Sequence, residues 1–267
     1  MKILITGGSG FIGTNLIYFL LSKNIRNFIN VDKQKPCQED LINYWVEANI
    51  LDTKKLNEIF DDYNPTYVIH LAARTDTSST NLDDYFDNTE GTRSLLCAIE
   101  KSTSVINSII TSTQYVYKSN QTMMPNSEDH FEPHTAYGLS KKITEEYTRD
   151  SNMKSGWCII RPTNVWGPWH MRYPNELLKI LDMGIYFHPG GDDPIKSYAY
   201  VKNVVHQIYM ILIAPLEQVD QQVFYVGDYS INSKDWLNTF SVELTGKTVK
   251  VLPRWFLAVV SGIGTYL

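Results

Sequence analysis

Thr6-Gly7-Gly8-Ser9-Gly10-Phe11-Ile12-Gly13, set directly behind the apolar run Ile3-Leu4-Ile5, decides how this chain folds. A buried strand that breaks into spaced glycines and resumes as a helix builds an anion cradle. Free N–H groups and the positive end of the helix dipole converge there. Gly7 is expected to take the tight turn, Gly10 to let the backbone approach a diphosphate, and Gly13 to let helix and strand pack closely. The spacing is G-x-x-G-x-x-G, with Phe11 and Ile12 opening the helix that runs on through 15–21. Glycine turns between strand and helix are common in α/β proteins. The apolar strand before this one and the apolar helix after it raise the dinucleotide-binding reading above the bland one.

The next apolar run, Phe28-Ile29-Asn30-Val31, reads as a second strand ending in Asp32. That acid lies about 20 residues past the glycines, where a carboxylate accepts hydrogen bonds from an adenosine ribose. It would repel a 2′-phosphate, so NAD is favoured over NADP. Lys33 and Lys35 follow at once and are expected to offset part of that repulsion.

Strand-like and helix-like segments alternate from there, the pattern of a doubly wound parallel sheet covered on both faces, a Rossmann-type α/β fold. Residues 44–48 read as a short strand and 54–63 as a helix ended by Pro65; 67–71, with almost no polar alternation, reads as a strand buried on both faces. A long helix is predicted over 82–101, a strand over 105–110, a helix over 136–150 and a strand over 157–160, stopped by Arg161-Pro162. Beyond this point prolines and aromatics cluster (Pro162, Trp166, Pro168, Trp169, Tyr173, Pro174) and elements shorten, leaving a helix over 201–212 and a strand over 223–226. The expectation is a dinucleotide-binding domain over 1–163, with segments near 196–226 crossing back to it, and a mainly substrate-binding region over 164–267.

Composition narrows the function classes. The chain has 267 residues, 43% hydrophobic and 20% charged, which describes an ordinary globular protein with a substantial core. A net charge of −5 without a basic run gives no attraction to nucleic acid. Cys37, Cys97 and Cys158 are odd in number and far apart, which suits a reducing, cytoplasmic compartment and argues against disulfides or a structural zinc. The first strand is expected to begin at Lys2, which would leave no room for a signal peptide, and no apolar stretch reaches the ~20 residues needed to span a bilayer. The apolar segment over 255–267 is expected to pack on the core, with an interface in a homodimer or a membrane surface as the other placements.

Tyr137-Gly138-Leu139-Ser140-Lys141 carries the chemistry. A spacing of four puts Tyr137 and Lys141 on one helix face. A phenol titrates near 10, and a close ammonium favours phenolate; bringing it to ~7 takes about 4 kcal/mol of differential stabilisation. Such a pair is common on exposed helix faces and convinces nobody alone. Thr111-Ser112-Thr113 follows a strand and so sits at the carboxyl edge of the sheet, where open α/β sheets bind ligands. A hydroxyl there would align a substrate hydroxyl or ketone with Tyr137, although strand-end hydroxyls often only cap local backbone.

Glycine loop, acid, hydroxyl and Tyr/Lys pair occur in this order with His70-Leu71-Ala72-Ala73, Asn88 before Gly91-Thr92, Ser112-Thr113-Gln114-Tyr115-Val116-Tyr117 and Arg161-Pro162-Thr163-Asn164-Val165-Trp166-Gly167-Pro168. This series resembles the extended short-chain dehydrogenases/reductases, in particular the NAD-dependent sugar-nucleotide epimerase/dehydratase group, from Lys2 to about Gly246. The resemblance implies Tyr137 as general acid/base, Lys141 as the holder of the nicotinamide ribose, and Thr113 as the hydroxyl that orients the sugar. It further implies Leu51 and Asp52 at the adenine, Leu71, Ala72, Ala73 and Asn88 along the dinucleotide path, and Pro162 beside the nicotinamide. Asn164 and Lys196 would meet the diphosphate side of a nucleotide-sugar substrate.

The departures are informative. Dehydratases of this group carry an Asp-Glu pair after the threonine to expel water; Gln114 and Tyr115 stand there, which disfavours dehydration. The usual Arg-Asp-Tyr segment is Lys196-Ser197-Tyr198, and lysine lacks the bidentate fork of arginine. Lys118 replaces the final glycine of the usual Val-Tyr-Gly, and the chain is shorter than most relatives, so part of a substrate lobe would be missing. No metal site is expected, since Pro133 separates the flanks of His130-Phe131-Glu132-Pro133-His134 and no third ligand is near. His70 reads as a hydrogen-bonded structural residue and Asp192-Asp193 as a turn; Trp166, Trp169 and Tyr173 would frame a sugar or base, or else form core.

The leading expectation is epimerisation of a nucleotide-activated sugar through a transient keto-sugar. The same residues used once, with NAD(P)H exchanged each cycle, would make a keto-sugar reductase. A non-catalytic dinucleotide sensor or scaffold is the alternative of another class, opposed by the intact Tyr137 and Lys141.

Overall fold

The apolar run ahead of the glycines forms β1 (Ile3–Thr6), all of it buried. In the computed structural model, which describes residues 1–118, 125, 127–170 and 173–256 (of 173–175 the backbone alone), the chain divides into two units. Met1–Thr163 with Val201–Val226 forms the first, Asn164–Tyr200 with Gly227–Leu267 the second.

In the first unit, β1 leads into α1 (Phe11–Ser22), β2 (Phe28–Asp32), β3 (Trp45–Glu47), α2 (Thr53–Tyr63), β4 (Tyr67–His70), α3 (Phe86–Lys101), β5 (Asn107–Thr111), α4 (Ala136–Arg149) and β6 (Gly156–Pro162). After β7 (Asn164–Trp166), α5 (Lys179–Asp182), β8 (Phe187–Pro189) and β9 (Ile195–Tyr200), the chain returns to it through α6 (Val201–Ile213), α7 (Leu216–Val219) and β10 (Gln222–Val226). The seven strands pair in the order β10-β6-β5-β4-β1-β2-β3, every pair parallel. The chain builds outward from β1 in one direction and then, from β4, in the other. The carboxyl ends of β1 and β4 therefore part into a crevice, the usual ligand position in such sheets.

Burial explains the order. β5 and β6 are buried along their whole length, as central strands covered on both faces must be. α2 turns Leu56, Ile59 and Phe60 inward, and α3 turns Leu95, Leu96 and Ile99 into the same cluster. Helix starts are capped by side chains: the Asp52 carboxylate accepts the Lys55 N–H at 3.0 Å, and the Thr135 hydroxyl accepts the Gly138 N–H at 3.0 Å. The helix predicted over 82–101 is broken. A 3₁₀ turn, Leu82–Tyr85, precedes α3, because Tyr85 leaves helical geometry and donates its hydroxyl to Asp76 O at 2.8 Å.

In the second unit β9 pairs with β7 in parallel and with β11 (Ser230–Asn232) antiparallel, and β8 pairs with β12 (Lys250–Leu252). Between β11 and β12 lies α8 (Ser233–Thr245), which no sequence expectation covered: serine, asparagine and threonine weaken its helical signal. Its Trp236 and Leu237 join Tyr198, Leu181 and Val249 in a separate core. Trp166 meets Trp236 and Phe240 edge-on and so belongs to that core, while Trp169 is exposed. The side chain of Tyr173 and the apolar segment past Phe256 lie outside the described residues. Among the described residues no helix is long and apolar enough to cross a membrane.

Candidate active site

The glycine stretch makes a fixed turn. Gly7 has φ +72°, and a Cβ on it would stand 2.5 Å from Ala72 N, so strand β1 and the Leu71-Ala72 backbone touch there. A Cβ on Gly13 would stand 2.4 Å from Gly7 O and 2.5 Å from Gly8 Cα. Gly10 is different: its Cβ would meet only Gly7 O, at 3.3 Å. Packing within the protein demands the first and last glycines. The middle one leaves room above the N-terminus of α1, where Phe11 and Ile12 begin the helix, which fits a diphosphate against free N–H groups.

Asp32 ends β2 with its carboxylate turned back to this loop. It accepts Ser9 N–H at 3.1 Å and Gln34 N–H at 2.9 Å. These bonds orient the acid, and each carboxylate oxygen keeps acceptor capacity for a ribose hydroxyl. Lys33 pairs with Asp87. Its ammonium is thus held by another carboxylate, and the expected offset of the Asp32 charge is corrected for this residue. Leu51 is exposed, and Asp52 is the cap of α2 already described. Leu71, Ala72 and Ala73 follow β4 at the crevice, Leu71 N–H reaching Thr6 O at 3.0 Å. At the far carboxyl edge, Pro162 ends β6 and is buried, and the hydroxyls of Thr111, Ser112 and Thr163 are buried without a protein partner. Orphaned hydroxyls at the edge where a dinucleotide would lie are what a polar ligand would satisfy.

Tyr137 and Lys141 lie one turn apart on the buried side of α4, 7% and 1% exposed. The Tyr137 phenol hydrogen-bonds the Thr113 hydroxyl, and its ring meets Tyr85 and Tyr115 at centroid distances of 6.1 and 6.3 Å. The lysine Nζ donates to Thr111 O at 2.8 Å. One expectation changes. Burial pushes the phenol up to about 12, against the downward pull of Thr113, with Tyr115 and Tyr85 adding to the rise. Burial lowers Lys141 to about 8, partly opposed by Glu145. The expected depression of the tyrosine by its lysine is not what this structure holds, because desolvation of the phenol dominates, and the ammonium is directed at a β5 carbonyl.

A chain of buried hydrogen bonds joins the cradle to this helix. Thr6 Oγ1 lies 2.7 Å from His70 Nδ1, and His70 Nε2 lies 3.0 Å from Thr92 Oγ1. Thr92 donates to Asn88 O at 2.7 Å, as does Thr144 from α4. Since the Thr92 proton is used there, Thr92 must accept from His70 Nε2–H. Burial, and then the Lys141 charge, hold the imidazole down to about 3 and so keep it neutral, which leaves Nδ1 to accept from Thr6. Asn88 Nδ2 also donates to Arg74 O and to Ser140 Oγ, and Ser140 donates to Tyr137 O at 2.7 Å. On its other side α4 is tied to β6 by a bidentate buried pair, Arg161 to Glu145, both bonds 2.8 Å.

The second unit contains a cavity of about 780 Å³. Leu177, Leu237, Pro189 and the Tyr198–Trp236 pair, stacked at 4.1 Å, give it an apolar wall. Asn164, Lys196, Asp192 and Arg254 bring polar and charged groups. Asn164 Nδ2 donates to Ser197 O at 2.9 Å, which fixes it to β9 beside Lys196. Sequence reasoning named Asn164 and Lys196 but missed Arg254, His188 and Tyr186. His188 is buried, its Nε2 3.1 Å from Asp193 and its Nδ1 3.3 Å from the Tyr186 hydroxyl. The Arg254 guanidinium lies beside Gly191, which has φ +93°. Elsewhere Glu132 pairs with Lys118, His130 meets Tyr117, and among the described residues no cluster could hold a metal ion.

Comparison with known proteins agrees with this geometry. The chain is 32% identical over 216 residues to N-acetyl-alpha-D-glucosaminyl-diphospho-ditrans,octacis-undecaprenol 4-epimerase of Escherichia coli O157:H7, covering 78% of this chain and 62% of the relative. It is 31% identical over 169 residues to GDP-6-deoxy-D-talose 4-dehydrogenase of Aggregatibacter actinomycetemcomitans, covering 62% and 54%. The matches span less than two thirds of either relative's length. Among solved structures, UDP-glucose 4-epimerase with UDP-glucose from Thermotoga maritima superposes with a TM-score of 0.77 at 27% identity, covering 95% of this chain and 86% of that one. The profile described as the NAD dependent epimerase/dehydratase family matches residues 3–227, from β1 past the end of β10. With cradle, acid, buried Tyr/Lys helix and parallel sheet all lying within that span, the chain belongs to the NAD-dependent epimerase/dehydratase family.

Proposed function

We propose that this protein is an NAD-dependent enzyme that epimerises a diphosphate-activated sugar, with a nucleotide as the favoured activating group. The observation that carries the reading is the buried Tyr137–Thr113 pair, backed by Lys141, at the carboxyl edge of a sheet whose first turn is an anion cradle. Bound NAD would supply hydride acceptance and return. The protein positions groups and handles protons. Thr113 aligns a substrate hydroxyl with the Tyr137 oxygen, which receives that hydroxyl's proton as the carbonyl forms and returns it as the carbonyl is reduced. Lys141 is the nearby cation that would offset the cost of a buried phenolate, and Asn88 and Ser140 hold the helix backbone in place. Asp32 and the glycine turn would hold the adenosine and diphosphate portions of NAD. Leu51, Asp52, Leu71, Ala72, Ala73 and Pro162 keep the cofactor-lining roles that the resemblance implies.

In the second unit, Lys196 and Arg254 suit a diphosphate and the apolar wall suits the group attached to it. The first relative acts on a polyprenol-linked sugar by its name, so a lipid diphosphate is the competing activating group. A keto-sugar reductase is the second reading. It is favoured by the high proton affinity of Tyr137, which suits proton donation, and by the dehydrogenase named among the relatives. We place the enzyme in the cytoplasm and assign it no nucleic-acid partner; a homodimer is its proposed assembly.

Purified protein incubated with NAD and UDP-, dTDP-, GDP- and CDP-sugars, and with a polyprenol diphosphosugar, separates these outcomes. Redox-neutral isomerisation supports epimerisation, and stoichiometric NAD(P)H loss on a keto-sugar supports reduction. Tyr137→Phe is expected to lower either activity about 10²- to 10⁴-fold while NAD still binds. Undiminished turnover in that variant would sink the assignment.

A further inference from the structure

Asp32 favours NAD, yet Lys33 follows it at once, and a cation beside the ribose acid is what a 2′-phosphate needs. The fold separates the two side chains. Both carboxylate oxygens of Asp32 are engaged by backbone, Oδ2 by Ser9 N–H at 3.1 Å and Oδ1 by Gln34 N–H at 2.9 Å. Ser9 is itself pinned: its hydroxyl donates to Gln34 O at 2.7 Å and accepts from Asn30 Nδ2 at 3.0 Å. The acid is thus held toward the glycine loop. Lys33 places its ammonium on the Asp87 carboxylate instead. Asp87 stands on a firm footing in the first turn of α3, two residues after Tyr85 and one before Asn88, both fully buried. Asn88 is locked to the segment behind β4, its Oδ1 accepting Arg74 N–H at 2.8 Å and its Nδ2 donating to Arg74 O at 2.9 Å. β2 and β4 flank β1 in the sheet. The ion pair therefore runs from the residue behind β2 to a helix start tied to the segment behind β4, past the carboxyl end of β1 where the glycine turn begins.

Resting on the reading that Asp32 meets the adenosine ribose, we infer that Asp87 is a positioning residue that sets cofactor specificity: it holds the Lys33 ammonium at the start of α3 and so denies a counter-charge to the 2′-phosphate of NADP. Asp32 repels that phosphate, and a nearby cation is needed to offset the repulsion. Lys33 is adjacent to the acid and would serve. Its flexible four-carbon stem and rotatable donors let it turn to a new partner once Asp87 loses its charge. The Lys33 side chain is half exposed and that of Asp87 about a quarter, so the pair adds little to stability. What it fixes is where the ammonium stands. Lys35, two residues on, is also exposed, and its contribution has to be separated from that of Lys33.

Cofactor-free wild type, Asp87→Asn, Lys33→Gln, the double variant and Asp32→Asn are titrated with NAD and with NADP by isothermal calorimetry, urea midpoints confirming the fold. Asp87→Asn is expected to tighten NADP about fivefold, the size of one partly exposed charge contact, with NAD changed about twofold or less. The gain should shrink with added salt and vanish in the double variant. Lys33→Gln alone should leave NADP nearly unchanged, because its ammonium is already committed. Three outcomes each overturn the inference: no gain in Asp87→Asn, a gain that survives in the double variant, or an NADP loss of about fivefold in Lys33→Gln. A surviving gain would belong to Lys35 or to the mere removal of a repelling charge. Asp32→Asn reports on the underlying reading. If it alters neither affinity, that reading falls and the inference with it; if it shifts them while Asp87→Asn does not, the inference alone falls.

Discussion

In the first unit the groups that would face a dinucleotide are mostly backbone: the N–H groups above Gly10, the Leu71–Ala73 segment and the N-terminus of α1. In the second, the cavity is lined by side chains from β7, β8, β9, α8 and the residues after β12. A backbone site is fixed as soon as the strands are in register, because Thr6 opposite His70 and Gly7 against Ala72 leave the loop one path. A side-chain site needs each rotamer held by its own neighbour, as Asn164 is by Ser197 and His188 by Asp193. The first kind tolerates sequence change wherever glycine and register persist. The second changes ligand with single substitutions.

The contrast breaks most visibly at the glycines. Gly13→Ala puts a methyl 2.4 Å from Gly7 O, and overpacking at backbone should cost about 3 kcal/mol or more, read as a falling urea midpoint. Gly10→Ala should leave that midpoint almost unchanged yet weaken NAD about tenfold or more in a fluorescence titration, because its methyl points into the ligand's space. Equal loss of stability in both variants would mean that the cradle is only structural.

Acid tests the buried chain between cradle and helix. The folded His70 is held near 3 and an unfolded histidine titrates near 6.5, so the unfolded state binds more protons between those values. Its contribution is present above pH 6.5 and is lost as pH falls toward 3; linkage gives about 2 kcal/mol between pH 7 and pH 5. His70→Gln should be less stable at pH 7 and show a correspondingly flatter pH dependence. A variant with the wild-type slope would refute the neutral, buried imidazole.

The smallest effect is expected in the second unit. Lys196→Ala should raise KM for a diphosphate-activated sugar about tenfold, near 1.4 kcal/mol, with NAD affinity and stability unchanged. Lys196→Arg should keep most of the affinity, since either cation serves a diphosphate. An unchanged KM in the alanine variant would remove that cavity from substrate binding.

Legibility followed the same divide. β1, β2, β4, β5 and β6 were readable because each is a short apolar run closed by a turn, and α4 because its buried face recurs at helical spacing. The break before α3 was not, since Tyr85 leaves the helix only for the distant carbonyl of Asp76. α8 escaped because its weak helix formers are overridden by burial of Trp236 and Leu237. Asp32 was legible as an acid at a strand end, but not that Lys33 turns to Asp87. Arg254 and His188 gave no local signal at all, being far apart in sequence from Lys196 or on a strand too short to show a period.

By itself, the order of residues determined the parallel sheet, the glycine turn after its first strand and the placing of a tyrosine and a lysine on one helix face. These follow from spacing within a few residues, where sterics and hydrophobic periodicity act locally. Tertiary structure alone decided the protonation of Tyr137 and Lys141, the neutral state of His70 and the lining of the second unit's cavity. Those depend on how much water is excluded and which distant carbonyl or hydroxyl arrives, and neither is set until the chain has packed.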